Sequence, residues 1–149
     1  MALTILRESL TRGVIEELKT LLPDHASEVG RDAESVNHID WMLYQYLDEH
    51  NLFYLYTARD GFDLVGYLGY MVSPSAQDRD DTRALCDCVY VSPKYRGMTL
   101  SKMLRYSEGD LRDNNVKVII QPVSPEHDFS PILKRNGFGL TEYYYSKRI

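Results

Sequence analysis

The segment Val91-Ser92-Pro93-Lys94-Tyr95-Arg96-Gly97-Met98-Thr99-Leu100-Ser101-Lys102-Met103-Leu104 carries the residues best suited to chemistry in this chain. It reads as a strand end, a proline-marked turn, a small loop around Arg96-Gly97, and then an amphipathic helix. Such a loop aims backbone N–H groups at one spot, and the first-turn amides and the helix dipole strengthen the field there. The outcome is a site for phosphate or pyrophosphate. That chemistry suits a cofactor with a nucleotide tail.

Just upstream, strand alternation places Asp87 on one face with Leu85, Val89 and Val91. A carboxylate among apolar neighbours is a setting that suits a base. The same strand holds both cysteines, Cys86 and Cys88, which at this spacing are expected on one face and are poorly placed to bridge each other. No further Cys or His stands nearby at ligand spacing, so no metal is expected. The thiols read as small packed groups in a reducing compartment.

The elements that must position these residues follow from periodicity. Leu3 to Arg7 reads as a first strand, and Val14, Ile15, Leu18, Leu21 and Leu22 as a helix that Pro23 ends. After a polar stretch, Val36, Ile39, Leu43, Tyr46 and Leu47 mark a second helix. Trp41 and Tyr44 share that helix and read mainly as packing groups. Leu52 to Arg59 alternates as a strand, with Tyr54, Tyr56 and Ala58 on one face and Phe53, Leu55 and Thr57 on the other. A turn at Asp60-Gly61 leads to a return strand, Leu64 to Val72. The acidic stretch Gln77 to Asp81 reads as a solvated loop before a fourth strand, Ala84 to Val91. Leu100, Met103, Leu104, Ser107 and Leu111 then form a helical stripe. Val116 to Gln121 is a fifth strand, Phe129 to Asn136 a short helix, and Leu140 to Lys147 a last strand that closes the sheet. The fold class expected is α/β (α+β), a mixed central sheet flanked by about four helices.

Size and charge narrow the function classes. A chain of 149 residues suits a single domain, 1–149. No apolar run reaches the roughly 20 residues of a membrane span, and no signal peptide is visible, so no membrane partner and a cytoplasmic location are expected. The net charge of −5 argues against nonspecific binding of nucleic acid and is compatible with an amine or basic substrate.

The loop resembles that of the GNAT superfamily of acyl-CoA-dependent N-acetyltransferases, whose pattern runs V-x-P-x-Tyr/Phe-Arg-Gly-x-Gly-Leu/Ile-Gly/Ala. Val91, Pro93, Tyr95, Arg96, Gly97 and Leu100 match, whereas Thr99 and Ser101 replace the two small residues. Thr99 is β-branched, so it would tolerate a positive φ poorly and would crowd a phosphate, or else donate its hydroxyl to one. Two further phrases follow the family in order. Asp60 to Tyr67 is similar to its hairpin, and Leu133-Lys134-Arg135-Asn136-Gly137-Phe138 to its closing Tyr-Glu-Lys-Leu-Gly-Phe. The chain also looks like a subgroup of short GNAT proteins carried by tailed bacteriophages, through Leu21-Leu22-Pro23, Glu28-Val29-Gly30 and Glu142 to Lys147.

The resemblance implies a GNAT-like fold in which the fourth and fifth strands splay apart. It implies acetyl-CoA as cosubstrate and an amine acceptor, small or protein-borne, in the bacterial cytoplasm, where a phage would meet its host. Pantetheine would pair with the backbone of Val89 and Val91, and Arg96, Gly97, Met98, Thr99, Leu100 and Ser101 would take the pyrophosphate. Asp87 stands where many members carry a glutamate base. The usual tyrosine acid is replaced by Leu133, and Tyr143 on the last strand is the stand-in named here. These departures leave a second reading, a GNAT-like module that binds a partner without catalysis. Either reading leaves room for a homodimer.

Overall fold

Alternating apolar residues make the strands, and hydrogen-bonded register decides which side of the sheet each residue covers. A computed structural model describes residues 2–149 and places five strands in one sheet in chain order. They are β1 (Leu3–Glu8), β2 (Phe53–Asp60), β3 (Asp63–Pro74), β4 (Thr82–Val91) and β5 (Val118–Ile120). Neighbours from β1 to β4 are antiparallel, and β5 lies parallel to β4. Four α-helices flank the sheet: α1 (Arg12–Glu28), α2 (Trp41–Glu49), α3 (Thr99–Asp113) and α4 (Ser130–Arg135). Among the described residues, no helix is long and apolar enough to cross a membrane.

Two cores result from the alternation in β2 and β3. Tyr54, Tyr56, Ala58, Leu68 and Tyr70 face α3 and α4, where Met103, Leu104 and Leu111 cover them. Phe53, Leu55 and Tyr67 face α1 and α2, under Val14, Ile15 and Leu18. Arg59 ties the second layer together by pairing with Glu8 of β1 and Glu17 of α1.

Four expectations are corrected. α1 does not stop at Pro23 but continues to Glu28. Proline gives up one helical bond, yet Leu22, His25 and Ala26 all still pack inward and hold the last turns. The second helix starts at Trp41, after a 3-10 turn at Ala33–His38, and its inner face is Trp41, Tyr44 and Leu47, while Leu43 and Tyr46 are exposed.

The third correction lies in β4. Its register against β3 steps so that Cys88 faces Gly69 and Cys86 faces Tyr70, leaving Asp87 as the extra residue of a bulge. An extra residue inverts the alternation across itself. Cys86 therefore packs with Val89 and Val91 on the α3 side, and Cys88 with Tyr90 on the α1–α2 side. The cysteines do not share a face, and Asp87 does not share one with Val89 and Val91. Gly69 is required opposite the bulge, since a Cβ there would come within 2.8 Å of Cys88 Sγ and the Phe53 ring.

The fourth correction is the last strand. Leu140 to Lys147 pairs with nothing, and residues 139–149 are exposed throughout. A strand-forming composition is local, but a strand forms only where its backbone meets a sheet edge, and this segment joins none.

Candidate active site

β4 and β5 share only three register pairs, from Arg83↔Val118 to Leu85↔Ile120. Beyond them the strands part, and β4 from Cys86 to Val91 has a neighbour on the β3 side alone. The Ser92 amide donates to Val65 O on that side (2.8 Å). Alternation then turns the backbone groups of Val91 and Val89 to the open side. The groove that opens there has a volume of about 770 Å³ and extends from α1 and α2 across β4 to Phe129 and Ile132.

At one end of the groove lies the loop before α3. Tyr95 N–H donates to Ser92 O and Arg96 N–H to Pro93 O, so the turn itself is closed. From Gly97 to Ser101 no amide has a backbone or side-chain acceptor, and Met98 at the cap position offers no side-chain bond. Consecutive free amides at a helix start form an anion cradle. Gly97 makes the bend with φ at +117°, and a Cβ placed on it would meet nothing within 4 Å. That space is open to a ligand.

Arg96 holds the loop rather than reaching out of it. Its Nε donates to Val91 O (2.9 Å), its guanidinium pairs with Glu28 at the end of α1, and it lies over the Tyr90 ring. Thr99 is buried with a helical backbone, and its hydroxyl donates to Tyr95 O (2.5 Å). It neither carries a positive φ nor offers its hydroxyl to the groove. Ser101 Oγ accepts from Asn136 Nδ2 (3.1 Å), joining α3 to the end of α4.

The other end is built by side chains from α1 and α2. Tyr44 Oη donates to Asp87 Oδ2 (2.6 Å), and Trp41 and Phe53 stand beside it in the lining. Asp87 is exposed at the bulge, not enclosed by apolar groups as its sequence neighbours suggest. Burial, and then the bond to Asp87, push the Tyr44 hydroxyl well above its ordinary range, so it remains a donor. His25 stacks on Tyr90 (5.2 Å between centroids) and pairs through Nδ1 with the buried Tyr67 hydroxyl (2.5 Å). Burial lowers the His25 pKa from the ordinary 6.5. His127, on the loop after β5, reaches across to Glu28 O and straps that loop to α1.

A family model described as the acetyltransferase (GNAT) family matches residues 15–130. This chain belongs to the GNAT acetyltransferase family. Solved structures agree on the fold. A predicted acetyltransferase from Clostridium acetobutylicum, solved with acetyl-CoA, is 14% identical with a TM-score of 0.75, over 99% of this chain and 96% of that one. An aminoglycoside acetyltransferase from an uncultured soil metagenomic sample is 15% identical with a TM-score of 0.79, over 100% and 99%. A ribosomal-protein-alanine N-acetyltransferase from Brucella melitensis biovar Abortus 2308 is 15% identical with a TM-score of 0.73, over 99% of each chain. No curated protein matches the sequence.

Within this GNAT fold, Asp87, Val89, Val91, Arg96, Gly97 and Leu100 line one groove. Met98, Thr99 and Ser101 carry amides without an acceptor beside Gly97 and Leu100, but they are not among the residues that line the groove. Tyr143 is not brought to the groove at all, because the strand expected to carry it does not form. Leu133 is buried in the core against α3. His25 and Glu28 join the site with no sequence signal for that role, and Tyr44 joins it although packing was its favoured reading. A helical spacing put Tyr44 on α2, but nothing local placed α2 beside the bulge.

Proposed function

We propose that this GNAT chain is an N-acetyltransferase that passes the acetyl group of acetyl-CoA to a primary amine by direct attack in a ternary complex. One observation carries the reading: the unpaired edge of β4, the uncapped start of α3 and the Asp87 carboxylate all face the same groove. The fit to the cosubstrate is physical. Five free amides and the space over Gly97 suit a pyrophosphate, and the open backbone of Val89 with the N–H of Val91 suits the pantetheine amides. Acetyl-CoA supplies a thioester whose carbonyl carbon accepts an amine and whose thiolate leaves.

The remaining work falls to this chain. A backbone N–H on the open side of β4 donates to the developing oxyanion. Asp87 takes the proton that the amine loses, directly or through one water. Tyr44 occupies Oδ2 and leaves Oδ1 free for that proton. The aromatic walls of Trp41, Tyr44 and Phe53 beside an exposed carboxylate favour a cationic amine. Neither Leu133 nor Tyr143 lines the groove, so neither of them protonates the thiolate.

The phrases Leu21-Leu22-Pro23 and Glu28-Val29-Gly30 support a place in the phage-carried subgroup, hence work in a bacterial cytoplasm as one domain over residues 1–149. The charge of −5 supports an acceptor other than nucleic acid. The test is a mass-spectrometric screen of small amines, peptides with free N-termini and lysine-bearing proteins, each incubated with acetyl-CoA and the protein. At least one acceptor is expected to return one acetyl group heavier. If CoA binds and no acceptor in the panel reacts, the binding-module reading replaces this one.

A further inference from the structure

We propose that the α1–α2 end of the groove takes a zwitterionic α-amino acid with an apolar side chain, which serves as the acetyl acceptor. The acceptor role rests on the acetyl-transfer reading; the binding of such a molecule does not.

The charges that line the groove point to a ligand carrying both signs. Its three carboxylates are Glu28, Asp87 and Asp128, and its two guanidinium groups are Arg31 and Arg96. Glu28 and Arg96 pair with each other. Asp128, on the loop before α4, accepts from the Ser130 amide (2.9 Å). Asp87 and Arg31 are left over, and neither has an ion-pair partner among the described residues. Both act on the Tyr44 hydroxyl at Coulomb range, so they stand near one another without pairing. One anion and one cation in one end of a groove complement an ammonium and a carboxylate on one molecule.

The end of α1 holds Arg31 in place. Gly30 turns the chain with φ at +72°, its amide donates to Ser27 O (3.2 Å), and the Arg31 amide reaches back to Ala26 O (2.8 Å). These two bonds make a Schellman end, which fixes the backbone from which the Arg31 side chain leaves. That side chain is exposed, and its planar fork suits a carboxylate.

Apart from His25 and the Tyr44 hydroxyl, this end of the groove is apolar. Leu10, Leu22, Ile39, Trp41 and Phe53 line it. Leu10 is 4% exposed and Phe53 2%, so they form a closed floor. A floor of that kind suits an apolar side chain. Other amines fit less well. A polyamine or an amino sugar brings several positive charges to one free carboxylate and meets Arg31 as a like charge. An apolar amine without a carboxylate leaves Arg31 unpaired.

With the ammonium at Asp87 and the carboxylate at Arg31, acetyl transfer forms the C–N bond and breaks the thioester C–S bond. Of the two protons that the ammonium gives up, one passes through Asp87 to solvent and one ends on the CoA thiol.

The full-length protein tests this in two arms. In the first, L-leucine and L-phenylalanine are titrated into protein saturated with CoA. Isoamylamine and phenethylamine, the same bodies without the carboxylate, and spermidine are titrated beside them. At least one amino acid is expected to bind about tenfold or more tightly than its matched amine, as the loss of a hydrogen bond to a charged group implies. Arg31→Ala should erase that preference, and Arg31→Lys should restore part of it. In the second arm the same compounds are incubated with acetyl-CoA, and the N-acetyl product of the amino acid that binds is expected by mass spectrometry. Failure of both amino acids to bind, tighter binding of spermidine or of a matched amine, or a preference that survives Arg31→Ala would overturn the proposal and leave the acetyl-transfer reading to its own screen. Acetylation of another amine but not of the bound amino acid would overturn the acceptor role. Binding of the amino acid with no amine acetylated would overturn the acetyl-transfer reading instead. If Arg31→Ala fails to fold, the matched-amine comparison on the wild-type protein decides the matter.

Discussion

Around Gly97 to Ser101 the groove is made of backbone, whereas under α1 and α2 it is made of side chains. The first region needs only a bend at Gly97, a helix start and an unpaired strand edge, all within a dozen residues of each other. The second pairs His25 of α1 with Tyr67 of β3, and Tyr44 of α2 with Asp87 of β4, across gaps of 42 and 43 residues. On the proposed reading, the cosubstrate end should tolerate side-chain changes that leave the bend at Gly97 intact, and the acceptor end should not. Thr99 illustrates the first point and the Tyr44–Asp87 pair the second.

The largest effect is expected at the acceptor end. Asp87→Asn should lower kcat by about 10²- to 10⁴-fold, the usual loss of a general base, with little change in CoA affinity. Tyr44→Phe removes one hydrogen bond to a charged group, of order 1.5–3 kcal/mol, and should lower kcat by a smaller factor and alter its pH profile. Steady-state kinetics on any acceptor found by the screen would check both. Equal loss of CoA binding in Asp87→Asn would break the division into two ends.

A middle-sized effect tests how Arg96 acts. Glu28→Gln leaves the loop untouched but removes the negative charge that faces Arg96. The pair is partly exposed, so about 0.2–1 kcal/mol is at stake, and calorimetry should show CoA bound a few-fold more weakly. An unchanged affinity would mean that the loop holds its shape without the end of α1.

The pH dependence comes next. His25 in the folded protein has a pKa below the ordinary 6.5, because burial disfavours its charged form. The unfolded chain therefore binds more protons just below pH 6.5, and stability rises with pH there. The melting temperature should hold above pH 6.5, fall as the pH drops below it, and level off under the folded pKa. His25→Gln should flatten that slope. A slope that survives the change would assign it to other groups.

The smallest effect on binding is expected from Thr99→Gly. The hydroxyl is already committed to Tyr95 O, so CoA affinity should stay within about twofold, while the helix loses roughly 1 kcal/mol from glycine at its first turn. A large gain or loss in affinity would bring Thr99 back into the cosubstrate's reach.

These contrasts explain what could be read from the sequence. The loop, the five strands before residue 121 and the buried stripe of α3 depend on neighbours in the chain, and they appear where periodicity puts them. The bulge at Asp87 could not be read, because it exists only against Gly69 of β3, and it decided where three side chains point. The phase of α2 was missed for a similar reason: Leu43 and Tyr46 are as apolar as Trp41 and Leu47, and the sheet chose between them. Tyr143 was not brought to the groove because a strand-forming composition does not by itself carry a segment into the sheet.

The claim beneath all of this is that one groove, cradled by the amides after Gly97, binds CoA. Titration calorimetry of CoA into the wild-type protein and into Gly97→Val tests it most directly. The valine Cβ would enter the space left open over the loop, at a φ of +117° that costs a side-chain residue about 1–2 kcal/mol. The account predicts saturable binding of one CoA per chain to the wild-type protein and no measurable heat from a Gly97→Val protein that circular dichroism shows to be folded. Absence of binding to the wild-type protein, or equal binding to both, would contradict it.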